Sequence, residues 1–515
     1  MRLSGLQSSR FSLHVPRRLH VPGPAQDSDV FADSLRKTLE AHRSSNRARL
    51  IRKVYPRAPA LGLFRPYILP KNRAGYQPPE PPVAISEISA PESTKPAKRR
   101  MRGHVQEKEP LKNRPNAIRS ANALYRRTHQ QCPWLRHMAA PPAFGDASTF
   151  LDAEIQALDR YLTPSPDEQT QITKFTTELK SLLETVVSQP PQIIGSRCTG
   201  LALPHSNLHF LLPFEDIPRS LDRARRPSPT RPQIRDAHIN LLHQVKSTLQ
   251  SSPAFKIQAQ LSGKRKTVLE AQHLPTGLQL LFHCGESVPA ITEYIQDYLV
   301  EYPHLRPLYV GTRALLEAHG LFGSSHSSIS PVALALLLVA FLKMNHGRFQ
   351  GPHRLGDEFL ALLQFYGTGV DLQTVVVAVD PPGFFDMETL RATVDDHVNA
   401  ASVRGQKSIL SAKRTAAARG NHPANRRLCI QDPTHYMNDL GRSCTCAPEL
   451  QGVFAAAYKH LRHACDEWKG PSENSSSLLT TALRANFDQL EKDRHQIVRP
   501  VDLDIEAERD AVLVK

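Results

Sequence analysis

Gly195-Ser196 follows a short strand-like segment, 192–194. A Gly-Ser pair that closes a strand and opens a helix presents bare backbone amides, a geometry that suits phosphate oxygens. Ten residues further on, Asn207 and His209 flank Leu208, and strand alternation puts positions i and i+2 on one face. Neither residue is a carboxylate, whereas a hard divalent cation asks for charged oxygens. The acids nearest in sequence are Glu215 and Asp216, after Pro213, and Glu286, after Gly285; all three fall beyond the ends of their strands. His205, His209, His283, His326 and His435 show no ligand spacing, so no metal site is expected. The seven cysteines include no Cys-x-x-Cys pair, and Cys444-Thr445-Cys446 has no second pair to complete a zinc site. Free thiols in a reducing compartment fit that count.

The elements that must position these residues read as helices mixed with strands. Ser165-Pro166-Asp167-Glu168 combines an N-cap, a proline at the first helical position and a capping-box acid. Behind it Ile172, Phe175, Leu179, Leu182, Leu183 and Val186 recur at three- and four-residue steps, which predicts an amphipathic helix over 165–187. Residues 208–212 are strand-like. Phe255, Ile257, Ala259 and Leu261 alternate, Ser262-Gly263 turns, and 277–284 returns as the second strand of a hairpin. Helices are predicted over 291–300, 308–319, 331–344, 355–366 and 451–468, and 372–379 has strand composition. Residues 397–431 carry Arg404, Lys407, Lys413, Arg414, Arg419, Arg426 and Arg427, no acid, and glycines at 405 and 420. They read as a flexible basic loop whose charges need a phosphate partner or water.

A chain of 515 residues exceeds what one core usually holds, so two folded domains with added segments are expected. Residues 1–150 hold 27 Lys and Arg against 10 Asp and Glu, and 18 of the 42 prolines. The rest holds 38 against 39, so the whole net charge of +16 comes from the front end. Residues 1–26 carry Arg2, Arg10, Arg17 and Arg18 and no acid before Asp27. That is the composition of a mitochondrial transit peptide, the favoured reading over an ordinary disordered basic terminus. The run KPAKRRMR (95–102) offers a nuclear address instead. Over 27–147 the prolines and scattered cations predict a disordered arm, either a binder of phosphate backbones or a solvated tail. The longest apolar stretch, 331–342, falls short of the roughly 20 residues a membrane span needs, so a soluble protein is expected.

Three segments carry a family resemblance: IIGSRCTGLALPHSNLHFLL (193–212), HLRPLYVGTRALLEAHGL (304–321) and LCIQDPTHYMNDLGRS (428–443). In this order they resemble the poly(A) RNA polymerases and terminal uridylyltransferases outside the main nuclear polyadenylation machinery, nucleotidyltransferases related to DNA polymerase β. The resemblance covers about half the chain and implies an α+β fold: a polymerase-β-type palm packed on a mostly helical central domain. The expected organisation is a transit peptide (1–26), a basic arm (27–147), the palm with preceding helices (148–290), a helical domain with a nucleotide-recognition-like motif (291–470) and an extended tail (471–515). It also implies a phosphate site at Gly195 and Ser196, a triphosphate-contacting cation at Arg313 in place of lysine, Ser330 in the next motif, and base recognition by Asn438 and Asp439. That last pair reads equally well as a buttress of its own turn.

The departures from the family decide the expected function. Its three metal-binding acids fall on Asn207, His209 and Leu281, and its glycine pair and stacking tyrosine on Ser327, Ser328 and Val332. These replacements cannot supply three negative charges to two divalent ions. The expectation is therefore a catalytically degenerate nucleotidyltransferase without cofactor. It would act as an RNA-binding or scaffold component in mitochondrial RNA processing or the mitochondrial ribosome, with RNA on the arm and the basic loop. The alternative is a working poly(A) or poly(U) polymerase using a nucleoside triphosphate and Mg²⁺ on relocated acids (Glu215, Asp216 or Glu286). A pure protein-interaction module is the third reading.

Overall fold

The computed structural model describes residues 117–121, 132–138, 146–214, 232–262, 267–285, 288–323, 327–349, 354–392, 400–470 and 477–500. The expected transit peptide, most of the basic arm, the 95–102 run, His326, and Glu215, Asp216 and Glu286 lie outside them.

Two capped helices open the body. In α1 (Ala147–Leu162) the Asp146 carboxylate accepts from Thr149 N at 2.7 Å. In α2 (Pro166–Leu183) the predicted capping box is complete: Ser165 Oγ accepts from Glu168 N, and Glu168 Oε2 accepts from Ser165 N at 2.6 Å. There follow β1 (Gln192–Ile194), α3 (Ser196–Thr199), β2 (Leu208–Pro213), α4 (Pro232–Gln250), β3 (Phe255–Ser262), β4 (Thr267–His273) and β5 (Gln279–Gly285). The strands form one sheet in the order β1-β2-β5-β4-β3, with β2 and β5 parallel and the other neighbours antiparallel. The expected two-stranded hairpin is thus a three-stranded meander. β4 escapes the sequence reading because Glu270 and Gln272 fill the half-covered side of its alternation. One face of the sheet, with Leu208, Phe210, Leu280 and Phe282, packs on Phe175 and Leu179 of α2 and Leu242 and Val245 of α4.

A second body comprises α5 (Ile291–Glu301), α6 (Leu305–Ala318), α7 (Pro331–Met344), α8 (Leu355–Gln364), β6 (Val376–Val379), β7 (Pro382–Phe385), α9 (Met387–Ala392), α10 (Ala400–Ala418), β8 (Cys429–Asp432), β9 (His435–Asp439) and α11 (Ala447–Asp466). Residues 333–342 of α7 are all buried, as a helix apolar all round demands. No described helix is long and apolar enough to cross a membrane. The four short strands pair as β9-β8-β6-β7.

The structure corrects three expectations. The basic loop is largely the 19-residue helix α10. Its alanines favour helix, and Gly405 is a packing residue, because a Cβ there would run into the carbonyl of Tyr436 on β9. The arm is folded at two places: Ile118 and Trp134 are fully buried, and Trp134 meets Phe487 edge-on at 5.6 Å. The tail is not extended over 477–500, where α12 (Leu478–Leu483) and α13 (Asp488–Val498) bury Leu479, Leu483, Leu490 and Ile497. Arm and tail join directly, with Arg119–Ser120 pairing antiparallel to Ala485–Asn486.

Beneath this clasp Glu154 is wholly buried and accepts from Leu479 N at 2.9 Å. Burial pushes its carboxyl from the ordinary 4.5 up to about 7. Its folded pKa lies above the unfolded one, so its contribution is complete below about pH 4.5 and is lost as pH rises through 7. Glu154→Gln keeps an acceptor for Leu479 and removes the charge. The variant should therefore gain on the native protein by up to about 3 kcal/mol between pH 4.5 and 8, read as diverging unfolding midpoints.

Candidate functional site

The open face of the five-stranded sheet is where the sequence placed its chemistry. Gly195 caps α3 with φ of 76°, a conformation that favours glycine, and a Cβ there would lie 3.7 Å from the His209 ring. Gly195-Ser196 thus turns over His209, and α3 spans only four residues. In the parallel register His209 lies opposite Leu281, and Leu281 opposite Glu270 on β4. The positions aligned with the family acids come together in space, yet the side chains are amide, imidazole and isobutyl.

His209 Nδ1 is 3.1 Å from His283 Nε2, and the rings lie within 3° of parallel. Burial lowers the His209 pKa to about 4, so the ring is neutral near pH 7. A neutral imidazole hydrogen-bonded to a second imidazole stands where the resemblance implies a carboxylate. Sequence reasoning missed Glu270, which shares this face because it is the direct partner of Leu281. Strands are spaced about 4.8 Å apart, so the Glu270 and His209 backbones stand roughly 10 Å apart with Leu281 between them. The Glu270 pKa is raised by burial. The residues on this face do not fit the two divalent ions of the family. Among the described residues no three His, Cys, Asp or Glu side chains converge as metal ligands.

Arg313, the expected triphosphate contact, is committed elsewhere. It is 4% exposed, its Nε pairs with Glu317 Oε2 at 3.4 Å, and its Nη1 donates to Ser206 Oγ at 3.0 Å. Its guanidinium also covers the Phe322 ring at 4.6 Å. His205 Nε2 stands 2.8 Å from the other Glu317 oxygen. Burial alone would raise the Glu317 pKa, but His205 and Arg313 overcome it and hold the carboxyl at about 2. Arg197 binds the same loop from below through the carbonyls of Pro204 and Ser206.

The remaining candidates divide between structural duty and exposure. Ser330 caps α7 by accepting from Ala333 N. Asp439 Oδ1 accepts from Ile430 N and Gly441 N, and its other oxygen lies 3.4 Å from Arg427. Asn438 donates to Asp432 at 2.9 Å, so both residues brace their own hairpin. On α10 and beyond, Arg404, Arg414 and Arg419 are exposed and Lys407 is half-buried. Arg426 is exposed but pairs with Glu449, whereas Lys413 and Arg427 are buried.

No protein-family model matches the sequence. The chain is 22% identical over 379 residues to the poly(A) RNA polymerase cid14 of Schizosaccharomyces pombe, covering 70% of this chain and 47% of that protein. It is also 22% identical over 337 residues to Trf4-2 of Drosophila melanogaster, described by name as an inactive poly(A) RNA polymerase, covering 62% of this chain and 70% of that protein. The chain thus spans about half the length of the first relative. The polymerase core of TRAMP, an RNA surveillance complex, superimposes with a TM-score of 0.53 at 18% identity, over 68% of this chain and 98% of that one. The chain shares the fold of that polymerase core, and its sequence is similar to poly(A) RNA polymerases.

Removing the Glu317 charge leaves Arg313 buried without its carboxylate. Glu317→Gln should cost about 3–5 kcal/mol, and the double change Arg313→Met/Glu317→Leu should recover much of it, measured by denaturant unfolding.

Proposed function

We propose that this protein has kept the polymerase fold as an RNA-binding scaffold and does not transfer nucleotides. The observation that carries the reading is the row His209–Leu281–Glu270, parallel from His209 to Leu281 and antiparallel from Leu281 to Glu270, with Asn207 two residues before His209. Phosphoryl transfer in this fold depends on charge held where metal and leaving group meet, and an uncharged ring at that point supplies none. The engagement of Arg313 with Glu317 supports the same reading, because it removes the matching cation from the phosphate path. Trf4-2, itself named inactive, is a precedent among similar sequences.

RNA is the proposed partner on electrostatic grounds. The front end concentrates the net positive charge of the chain, and Arg404, Arg414 and Arg419 stand exposed on and just after α10. Such cations bind phosphates by releasing condensed counterions. The mitochondrion is the proposed location, with the nucleus as its rival, and a scaffold role in RNA processing or the mitochondrial ribosome suits a fold without its metal ligands.

Purified full-length protein offered a labelled RNA, each nucleoside triphosphate and Mg²⁺ or Mn²⁺ should give no 3′-extension ladder, while the RNA is retarded in a salt-sensitive manner. A ladder abolished by changing Glu215, Asp216 or Glu286 would sink the proposal and establish the enzyme. Residues 1–26 fused to a fluorescent protein should send it to mitochondria; uniform or nuclear fluorescence would refute that address.

A further inference from the structure

A cavity of about 330 Å³ opens between α10, the turn before β6 and the short helical turn His422–Arg426. No residue lining it belongs to the five-stranded sheet, α3 or α6, so it is separate from the Gly195–His209 face. Its size falls at the lower end of small-molecule sites, which run from about 300 to 1,000 Å³. Leu410 is its apolar element, and the other lining residues are polar or charged.

Lys413 is the informative member. It is 5% exposed, and its ammonium donates to the carbonyls of Gln373, at 2.6 Å, and Arg427. An ammonium has three N–H donors. Among the described residues the third has no acceptor, and Lys413 lines the cavity. Burial pulls the Lys413 pKa down, a cost that an anion in the cavity would reverse. Arg414 and Asn425, both exposed, add donors at the rim.

The cavity also holds a carboxylate. Asp371 Oδ1 accepts from Gln373 N at 2.9 Å, and its other oxygen has no described donor. A simple anion matches such a lining poorly. A ligand with acidic oxygens at one end and hydroxyl donors at the other matches it well. We propose that this cavity seats one phosphoribose unit, its phosphate on Lys413 and Arg414 and its 2′-hydroxyl on Asp371. Such a hydroxyl contact is what separates RNA from DNA at a site. The choice of an RNA strand as the source rests on the function proposed above; the chemistry of the seat does not.

The test uses the full chain, a fluorescent ribo-oligonucleotide, its deoxyribo counterpart and free adenosine monophosphate. Lys413→Met strips two carbonyls of their donor and risks misfolding, so the rim and Asp371 variants carry the test. Arg414→Glu should weaken the ribo-oligonucleotide about tenfold and flatten its log affinity against log salt by about one unit. Asn425→Ala should weaken it less, and Asp371→Asn should remove the preference for ribose over deoxyribose. RNA binding unchanged in all three variants would overturn the seat and leave the RNA-binding function standing. Adenosine monophosphate held by the native chain and lost in Arg414→Glu, without RNA binding, would keep the seat for free nucleotides and end the RNA reading. Binding of neither probe would overturn both.

Discussion

The parallel pairing of β2 with β5 governs what this fold can do. It sets His209 opposite Leu281 and His283 one pleat further along, and no change of rotamer moves those side chains to the other face. The opposite face is occupied by Phe210, Phe282 and their neighbours packed on two helices, so the register is held by the core. A one-residue slip would turn the histidines into the helix-packed core and the phenylalanines onto the other face. Whatever chemistry the open face offers is therefore fixed by three positions, and evolution of function here runs through side-chain identity.

Charge has been rearranged around that face. Arg313 and Glu317 lie one helical turn apart on α6, and with His205 and Ser206 they tie the helix to the loop that leads into β2. Arg197 fastens the same loop through two carbonyls. Both arginines are engaged by protein acceptors. Exposed Arg404, Arg414 and Arg419 lie instead on and just after α10. The cations proposed to hold phosphate therefore lie on a surface other than the His209 face of the sheet.

Much of the palm was legible from residues 165–212, because its signals are local: a capping box, a Gly-Ser turn and a strand bounded by prolines. The chemical departures at Asn207, His209 and Leu281 were legible too, since identity alone decides whether a carboxylate is present. The burial of Arg313 was half legible, as its partner sits at i+4, but Ser206 and His205 reach it only through the tertiary fold. Helix α10 was misread because Gly405 and a run of cations look like loop punctuation. Its close crossing of β9, which explains the glycine, is invisible in sequence. The docking of Ile118 and Trp134 was out of reach altogether, since Phe487 and the Ala485–Asn486 strand arrive from the segment between α12 and α13.

That docking imposes an order on biosynthesis. Cys132 bonds Thr480, 348 residues later, and the strand at Arg119–Ser120 waits for Ala485–Asn486. At about 5–20 residues per second, a ribosome spends tens of seconds between the two. Throughout that interval Ile118, Trp134 and the Glu154 side of α1 have no permanent cover. The nascent chain must be shielded until α12 and α13 emerge, and any premature stop before residue 478 leaves that apolar seam open to quality control.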